Sequence, residues 1–182
     1  MVAEYGFGED EVAMLEELMR PENQALLGGN GADSFEKLTE EEIRTALGDA
    51  SGDVGTALSY ALSKVGYPYS QELRDSGDYY DCSSLVYYAW KAAGVDISFG
   101  GSYSAAAQAQ GLEQAGKSVP LEGLQPGDLI YFSYVHNGRY KNISHVAIYA
   151  GNGMIIEAAN ESTGVVYRNL HSRGSIVTVC RP

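Results

Sequence analysis

The sequence has few cysteines, few basic residues and no long apolar run, and each shortage excludes a class of protein. Its 182 residues include two cysteines, too few for a disulfide framework. The 12 basic residues face 24 acidic ones, and a net charge of −12 disfavours a nucleic-acid partner. No stretch approaches the roughly 20 apolar residues that a membrane-spanning helix needs. Because 45% of the residues are apolar, a compact domain with a buried core is expected.

The acidic residues are concentrated in the first third of the chain. Residues 1–55 contain 14 acidic and 3 basic residues, whereas residues 56–182 contain 10 and 9. This contrast predicts an acidic, partly helical N-terminal extension or linker over residues 1–53 and a separate domain over residues 54–182. In the extension, helices are predicted at Glu11–Leu18 and from the capping box at Thr39 to Leu47. The first residues lack the basic start and apolar run of a secretory signal peptide.

The predicted domain consists of helices followed by strands. Asp53 is expected to cap a helix that runs to about Val65, and Asp81 to begin a second helix that ends near Ala93. A connection rich in Gly, Ser and Ala follows. Five short strand-like runs come next, at Asp128–Ser133, Ser144–Ala150, Met154–Ala159, Val165–Leu170 and Ile176–Cys180. Short loops between them favour antiparallel neighbours, so the sequence predicts an α+β fold.

Cys82 is the candidate nucleophile. It lies in the first turn of the second predicted helix, where unpaired amides and the positive end of the helix dipole stabilise a thiolate. Its neighbour Ser83 is small, so a substrate backbone can approach, and the amide of Cys82 itself can point at a developing oxyanion. The alternative is a buried structural cysteine, which is the more common state of a lone cysteine.

A thiol nucleophile needs a base, and the sequence offers three histidines. His136 is predicted at a loop tip and His171 just after a strand, so both are expected to be solvated surface groups. His145 instead opens an alternating strand, and a rigid strand can hold its imidazole against a helix N-terminus. A histidine with satisfied hydrogen bonds near a sheet edge is the alternative for His145.

Glu157 is the candidate for a third polar residue. It interrupts an apolar run, where a carboxylate needs a partner unless an edge strand exposes it. If the hairpin that joins its strand to that of His145 has a three-residue loop, the two side chains share a face of the sheet. A two-residue loop would put them on opposite faces, and Asn160 would then be the next candidate.

Four motifs in this order resemble the NlpC family of papain-like cysteine peptidases, which cut bacterial cell-wall peptides. They are Tyr67-Pro68-Tyr69, Asp81-Cys82-Ser83-Ser84-Leu85-Val86, Leu124-Gln125-Pro126-Gly127-Asp128-Leu129-Ile130-Tyr131-Phe132 and Ser144-His145-Val146-Ala147-Ile148-Tyr149. The resemblance covers about residues 54 to 180. It implies a papain-like fold in which the nucleophile lies at a helix N-terminus packed on a five- to six-stranded antiparallel sheet. By the same resemblance, Cys82 is the nucleophile, His145 the base and Glu157 the orienting residue.

The resemblance also implies a substrate. Tyr69, Asp81 and Ser83 occupy positions that in the family shape the pocket for the L-Ala–D-Glu end of the peptidoglycan stem peptide. The sequence departs from the family pattern at three places, with Ser84 for a glycine, Ser70-Gln71-Glu72 for Trp-Gly-Gly, and Glu157 where many members have histidine. None of these departures removes a catalytic group, but the altered loop after Tyr69 affects the expected substrate preference.

The expected activity is therefore hydrolysis of stem peptides at the γ-D-glutamyl–diamino acid bond, without a metal or another cofactor. Such a protein would be secreted or located at the cell surface. Two other enzymes on the same scaffold are alternatives: an amidase that cuts the muramoyl–L-alanine bond, and an acyltransferase. A non-catalytic wall-binding module is a further alternative, which an intact set of Cys82, His145 and Glu157 disfavours.

Overall fold

The computed structural model describes residues 33–182, in which four α-helices precede five β-strands. The helices are α1 (Glu40–Leu47), α2 (Gly52–Ser63), α3 (Cys82–Ala92) and α4 (Ala105–Gln114). The strands are β1 (Leu129–Phe132), β2 (His145–Gly151), β3 (Met154–Asn160), β4 (Gly164–Asn169) and β5 (Ile176–Cys180). All five predicted strands are present to within a residue or two at their ends. The helix predicted at Glu11–Leu18 lies outside the described residues.

The strands form one antiparallel sheet in the order β4-β3-β2-β1-β5. The sheet has an apolar face on each side. On the face towards the helices, Leu129 and Tyr131 of β1 join the main hydrophobic cluster, whereas the alternate residues Ile130 and Phe132 join a smaller cluster on the other face. A strand buried on both sides has few polar positions, which is why β1 reads as a continuous apolar run. The α+β fold with an antiparallel sheet is confirmed.

The helix ends follow local capping chemistry, with one correction. Helix α1 begins at the predicted capping box, in which the Thr39 hydroxyl accepts from the amide of Glu42 and the Glu42 carboxylate accepts from the amide of Thr39. Helix α2 begins earlier than predicted, after Ser51. Asp53 therefore lies inside the first turn and does not cap the helix, although an acidic residue at that place still favours the helix dipole.

Helix α4 was not predicted from the sequence. It occupies the segment interpreted as a Gly-, Ser- and Ala-rich connection, and its buried face consists mainly of small side chains around Leu112. A stripe of alanines gives little hydrophobic contrast between the faces of a helix, so the pattern is weak. Gly111 lets the helix approach Phe99 closely, because a Cβ there would lie 2.0 Å from the ring.

Residues 33–53 pack against the domain. Leu38 belongs to the main hydrophobic cluster, and Ser34 forms two backbone hydrogen bonds with Tyr167 of the edge strand β4, at 2.7 and 3.0 Å. The chain at Lys37 also passes so close to Gly66 that a Cβ at Gly66 would lie 2.7 Å from the Lys37 amide. The described part of the predicted extension is thus in contact with the sheet, whereas the boundary at residue 53 stays a prediction. Among residues 33–182, no helix is long and apolar enough to cross a membrane.

Candidate active site

Cys82 is the first residue of α3, where the sequence analysis placed it. Asp81 is the N-cap, and its Oδ1 accepts from the Ser84 amide at 2.7 Å while the Ser84 hydroxyl accepts from the Asp81 amide at 2.9 Å. The serine that replaces the family's usual glycine therefore closes a capping box. This pair fixes the first turn of the helix, and with it the direction of the Cys82 side chain, which is only 8% exposed.

Two residues that the sequence analysis missed support this turn. Arg74 donates from Nη1 to Asp81 Oδ2 at 2.8 Å, and the Ser83 hydroxyl donates to Oδ1 of the same carboxylate at 2.9 Å. Gln108 of α4 is completely buried and donates from Nε2 to the carbonyl of Ser83 at 3.0 Å. Gln108 could have been identified from the sequence, because it is a glutamine within an alanine-rich run. Arg74 lies in an irregular loop, where no sequence feature indicates its role.

His145 begins β2, and its imidazole Nε2 donates to Oε2 of Glu157 on β3. Both side chains lie on the face of the sheet that carries Ile130 and Phe132, since Phe132 pairs directly with His145. Glu157 is completely buried and His145 is 8% exposed. Cys82 acts on the pKa of His145 from the other side of the ring, and Nδ1 is the ring nitrogen that is not bonded to Glu157. The structure thus brings the three predicted side chains together in a series, with His145 hydrogen-bonded to Glu157 and electrostatically coupled to Cys82.

The register that brings them together is the one predicted for a three-residue loop, but the turn produces it in another way. The loop is the two-residue turn Asn152-Gly153, which by itself would put His145 and Glu157 on opposite faces. A bulge between Tyr149 and Gly151 inserts one residue and restores the pairing of Ile148 with Ile156. Gly151 adopts a φ of +98°, which residues with a side chain rarely adopt. The predicted common face is present, but the bulge produces it and not a longer loop.

The electrostatics of the series favour a charged pair. Burial acts to lower the pKa of His145, but the hydrogen bonds and negative charges of Cys82 and Glu157 outweigh it and raise that pKa to about 10. Burial acts to raise the pKa of Glu157, but the hydrogen bond and charge of His145, together with His171 and Arg168, hold it well below its usual value. At neutral pH the imidazole is therefore cationic and the carboxylate ionised.

His171 is not the solvated surface group that the sequence analysis predicted. Its Nε2 donates to Oε1 of Glu157 at 2.9 Å, and its ring stacks on Phe132 with centroids 6.1 Å apart. The prediction failed because the residue follows β4 in sequence, yet the chain after β4 turns back over the sheet face that carries Glu157. His136 is exposed, as predicted.

Tyr69 lies beside this series. A shallow groove of about 400 Å³ is lined by Tyr69 and by residues 159–162 at the end of β3. Burial raises the pKa of Tyr69, and the charges of Cys82 and Asp81 act in the same direction, so the phenol stays protonated and can donate a hydrogen bond. Asn160, the alternative third residue, faces this groove and uses its Oδ1 to accept from Ser162 and Thr163 in the turn. Within residues 33–182, no three His, Cys, Asp or Glu side chains are arranged to hold a metal ion.

Comparison with known proteins relates the chain to one family. The sequence profile of the NlpC/P60 family matches residues 66–181. A probable endopeptidase of Mycobacterium tuberculosis is 32% identical over 127 residues, which cover 70% of this chain and 29% of the relative. The bifunctional muramidase/DL-endopeptidase CwlT of Bacillus subtilis is 32% identical over 117 residues, 64% of this chain and 32% of that protein. The chain thus spans about a third of the length of these curated relatives or less.

Solved structures agree with the sequence comparison. The peptidoglycan hydrolase RipB of Mycobacterium tuberculosis superposes with a TM-score of 0.55 at 26% identity, covering 99% of this chain and 87% of that one. The P60 domain of a Mycobacterium avium subspecies paratuberculosis antigen gives a TM-score of 0.55 at 25% identity, over 71% of this chain and 93% of the domain. With a helix-terminal cysteine packed against an antiparallel sheet that carries a histidine, this papain-like chain belongs to the NlpC/P60 family.

Proposed function

We propose that the chain is a cysteine endopeptidase that hydrolyses peptidoglycan stem peptides, with Cys82 as nucleophile, His145 as acid and base, and Glu157 as the orienting residue. The observation that carries the proposal is the buried hydrogen bond between His145 and Glu157, coupled to Cys82 at a helix N-terminus of an NlpC/P60 chain. The endopeptidase names of the relatives support it.

Acylation begins from the thiolate–imidazolium pair. The Cys82 thiolate attacks the carbonyl carbon of the scissile amide and forms a C–S bond, while the carbonyl oxygen becomes an oxyanion. The amide of Cys82 belongs to the first turn of α3, whose amides have no acceptor within the helix, and can donate to that oxyanion. Collapse of the intermediate breaks the C–N bond, and the His145 imidazolium gives its proton to the departing amine.

Deacylation reverses the proton transfer. Neutral His145 takes a proton from a water molecule, whose oxygen attacks the thioester carbon and releases the new carboxylic acid as the C–S bond breaks. The thiolate and the imidazolium are regenerated. The ionised Glu157 accepts from Nε2 throughout, which keeps Nδ1 directed at the sulphur and stabilises the cation each time it forms.

The scissile bond proposed is the γ-D-glutamyl–diamino acid bond. Tyr69 lines the groove, and Asp81 and Ser83 lie at the start of α3. Together they would shape the binding of the L-Ala–D-Glu part of the stem peptide on the acyl side of that bond. Arg74 already pairs with Asp81 at 2.8 Å, so a substrate N–H group that bonds to this carboxylate would share it with a guanidinium. A substrate in the cell wall implies a secreted or surface location.

Mass spectrometry of digested peptidoglycan tests the proposal. The γ-D-glutamyl–diamino acid cut leaves L-Ala–D-Glu on the glycan and releases a fragment that begins with the diamino acid. An amidase would instead release the whole stem peptide with a free L-Ala amine, and an acyltransferase would produce a new amide with an added amine. The Cys82→Ala variant is the control. Binding of peptidoglycan without any new fragment would contradict the proposal and favour a wall-binding module.

A further inference from the structure

We propose that Arg168 and His171 are positioning residues that hold Glu157 ionised and directed at His145, so that the catalytic series has a second tier beyond the carboxylate. Arg168 donates from Nε to Oε1 of Glu157 at 2.6 Å, and its Nη2 forms an ion pair with the same oxygen, also at 2.6 Å. His171 donates to the same oxygen at 2.9 Å. The inference rests on the proposed function, because it assigns these two residues a role in the same site.

The sheet register explains why these groups meet. Glu157 pairs directly with Val166 of β4, and Arg168 is the next residue on the same face, diagonal to Glu157. On the other side of β3, His145 of β2 is also diagonal to Glu157, towards the opposite end of the strand. His145, Glu157 and Arg168 thus lie in a line across three adjacent strands on one face of the sheet.

The two carboxylate oxygens of Glu157 have separate partners. Among the residues that the structure describes, Oε2 accepts from His145 alone, whereas Oε1 accepts from Arg168 and His171. With Oε1 fixed in this way, rotation about the carboxylate bond would break both hydrogen bonds and the ion pair with Arg168. Oε2 is therefore held towards the imidazole, and the tautomer that leaves Nδ1 for Cys82 is maintained.

Charge balance gives the same result. A completely buried carboxylate is costly unless a cation pairs with it. If the imidazolium of His145 were the sole partner, Glu157 would be unpaired whenever His145 becomes neutral during catalysis. Arg168 stays cationic at every working pH, so it compensates Glu157 in both protonation states of His145. The series then alternates from the thiolate of Cys82, through the imidazolium and the carboxylate, to the guanidinium.

Five titratable or charged groups face Glu157 or its partner imidazole from the packed elements. They are Cys82 from α3, His145 from β2, Arg168 from β4, His171 from the loop after β4, and Tyr134 from the loop after β1. Burial raises the pKa of Tyr134, and the charge of Glu157 adds to this, so the phenol stays neutral. The permanent cation among the five is Arg168.

Substitution of Arg168 has an effect of opposite sign to substitution of Glu157. Loss of a positive charge makes every nearby proton harder to remove, so both limbs of the pH profile of kcat/KM move to higher pH in Arg168→Met. The expected movement is about half a pH unit, less than the effect of an adjacent charge, because Glu157 lies between Arg168 and His145. Loss of the Glu157 charge moves the limbs to lower pH.

The experiment measures two quantities as a function of pH. The first is kcat/KM for hydrolysis of a stem peptide, and the second is the rate at which iodoacetamide alkylates Cys82. We expect Arg168→Met to lower kcat by about 10- to 100-fold, the range for groups that orient a reacting partner. The limbs of both pH profiles should move to higher pH. Arg168→Lys keeps the charge and should leave the limbs in place while kcat falls. Arg44→Met, which removes an exposed cation from α1, is the matched control without effect.

A double variant separates positioning from folding. If Arg168 orients His145 only through the carboxylate, Arg168→Met has no further effect on kcat in a Glu157→Gln background, although the direct effect of its charge on the limbs remains. The double variant contains no unpaired buried carboxylate, so this comparison stands even where Arg168→Met alone fails to fold. Unmoved limbs and a wild-type rate in Arg168→Met, or equal losses in both backgrounds, overturn the inference. A wild-type protein that neither hydrolyses the peptide nor shows pH-dependent alkylation would instead refute the proposed function.

Discussion

Glu157 accepts a hydrogen bond from His145 although the two residues are not direct cross-strand partners. Extension of the β2–β3 register places Ala147 opposite Glu157 and leaves His145 one step along the same face. A long carboxylate side chain spans this diagonal, which a short one would not. The bulge before Gly151 is therefore part of the active-site geometry, because without it the carboxylate would point to the opposite face of the sheet.

The two cysteines should differ sharply in function. Cys82→Ala is expected to abolish hydrolysis and leave the fold intact, since it removes little buried volume. Cys180→Ala should leave the rate almost unchanged, because burial, helped by the charge of Glu113, raises the pKa of Cys180 to about 11 and keeps its thiol protonated. Peptide mapping after iodoacetamide treatment at pH 8 should find the label on Cys82. A dispensable Cys82 with an essential Cys180 would contradict the mechanism.

Much of the site was predictable because its signals are local. An aspartate that begins a helix at Asp81, a histidine that opens an alternating strand and a carboxylate within an apolar run are each visible in fewer than ten residues. Whether His145 and Glu157 share a face depends on the hairpin register, and the sequence is compatible with two registers. A bulge costs one residue of pairing and has no strong sequence signature, so the structure was needed to show how the common face arises.

The features that were missed depend on long-range packing. His171 looked solvated because its position after a strand does not reveal that the loop folds back onto Phe132 and Glu157. Helix α4 was missed since alanine stripes give weak periodicity. The contacts of residues 33–53 were missed because the charge contrast suggested a solvated arm, whereas Leu38 is buried in the core and Ile43 and Leu47 pack against it. The net charge of a segment indicates that its surface is polar, but it does not show whether one of its apolar residues is buried.

Removal of residues 33–50 should destabilise the domain. A chain that starts at residue 51 lacks Leu38 and the backbone pairing of Ser34 with Tyr167, which a chain that starts at residue 33 retains. Burial of a leucine and two hydrogen bonds together predict a difference of about 3 to 5 kcal/mol in the free energy of unfolding. Urea denaturation of the two truncated chains measures it. Equal midpoints would mean that this segment is a linker after all.

The same two truncated chains separate a structural from a regulatory role. With a structural role, kcat/KM on a stem peptide is unchanged well below the unfolding temperature in the shorter chain. A large rise in kcat/KM on removal of residues 33–50 would instead show that the segment inhibits the site.

Arg181 should matter for stability and not for catalysis. Asp128, at the start of β1, is completely buried, and Arg181 pairs with both of its oxygens at 2.7 and 2.8 Å. Arg181→Met leaves that carboxylate without its cation, so we expect the free energy of unfolding to fall by about 1 to 3 kcal/mol. This range is discounted because the arginine is partly exposed. Arg44→Met, which breaks an exposed pair with Glu41, should cost about 0.5 kcal/mol or less. Similar losses in thermal denaturation of the two variants would contradict this assignment.

Glu157 gives the sharpest test of the catalytic series. Glu157→Gln keeps a hydrogen-bond acceptor for His145 but loses the charge, and Glu157→Ala loses both. We expect kcat to fall from the wild type through Gln to Ala, by an amount on the order of 10- to 10⁴-fold, with Ala still more active than Cys82→Ala.

The pH profile of the Glu157 variants identifies the physical cause. In the wild type, the pKa of His145 is raised to about 10, so the alkaline limb of kcat/KM should lie far above the usual range of histidine. Without the negative charge of Glu157 the imidazolium loses its proton more easily, and the limb should move to lower pH in both variants. The charge of Cys82 remains, so the limb should stay above the ordinary histidine value. A Glu157→Ala variant with the wild-type rate and an unmoved limb would show that this carboxylate does not act on His145 during catalysis.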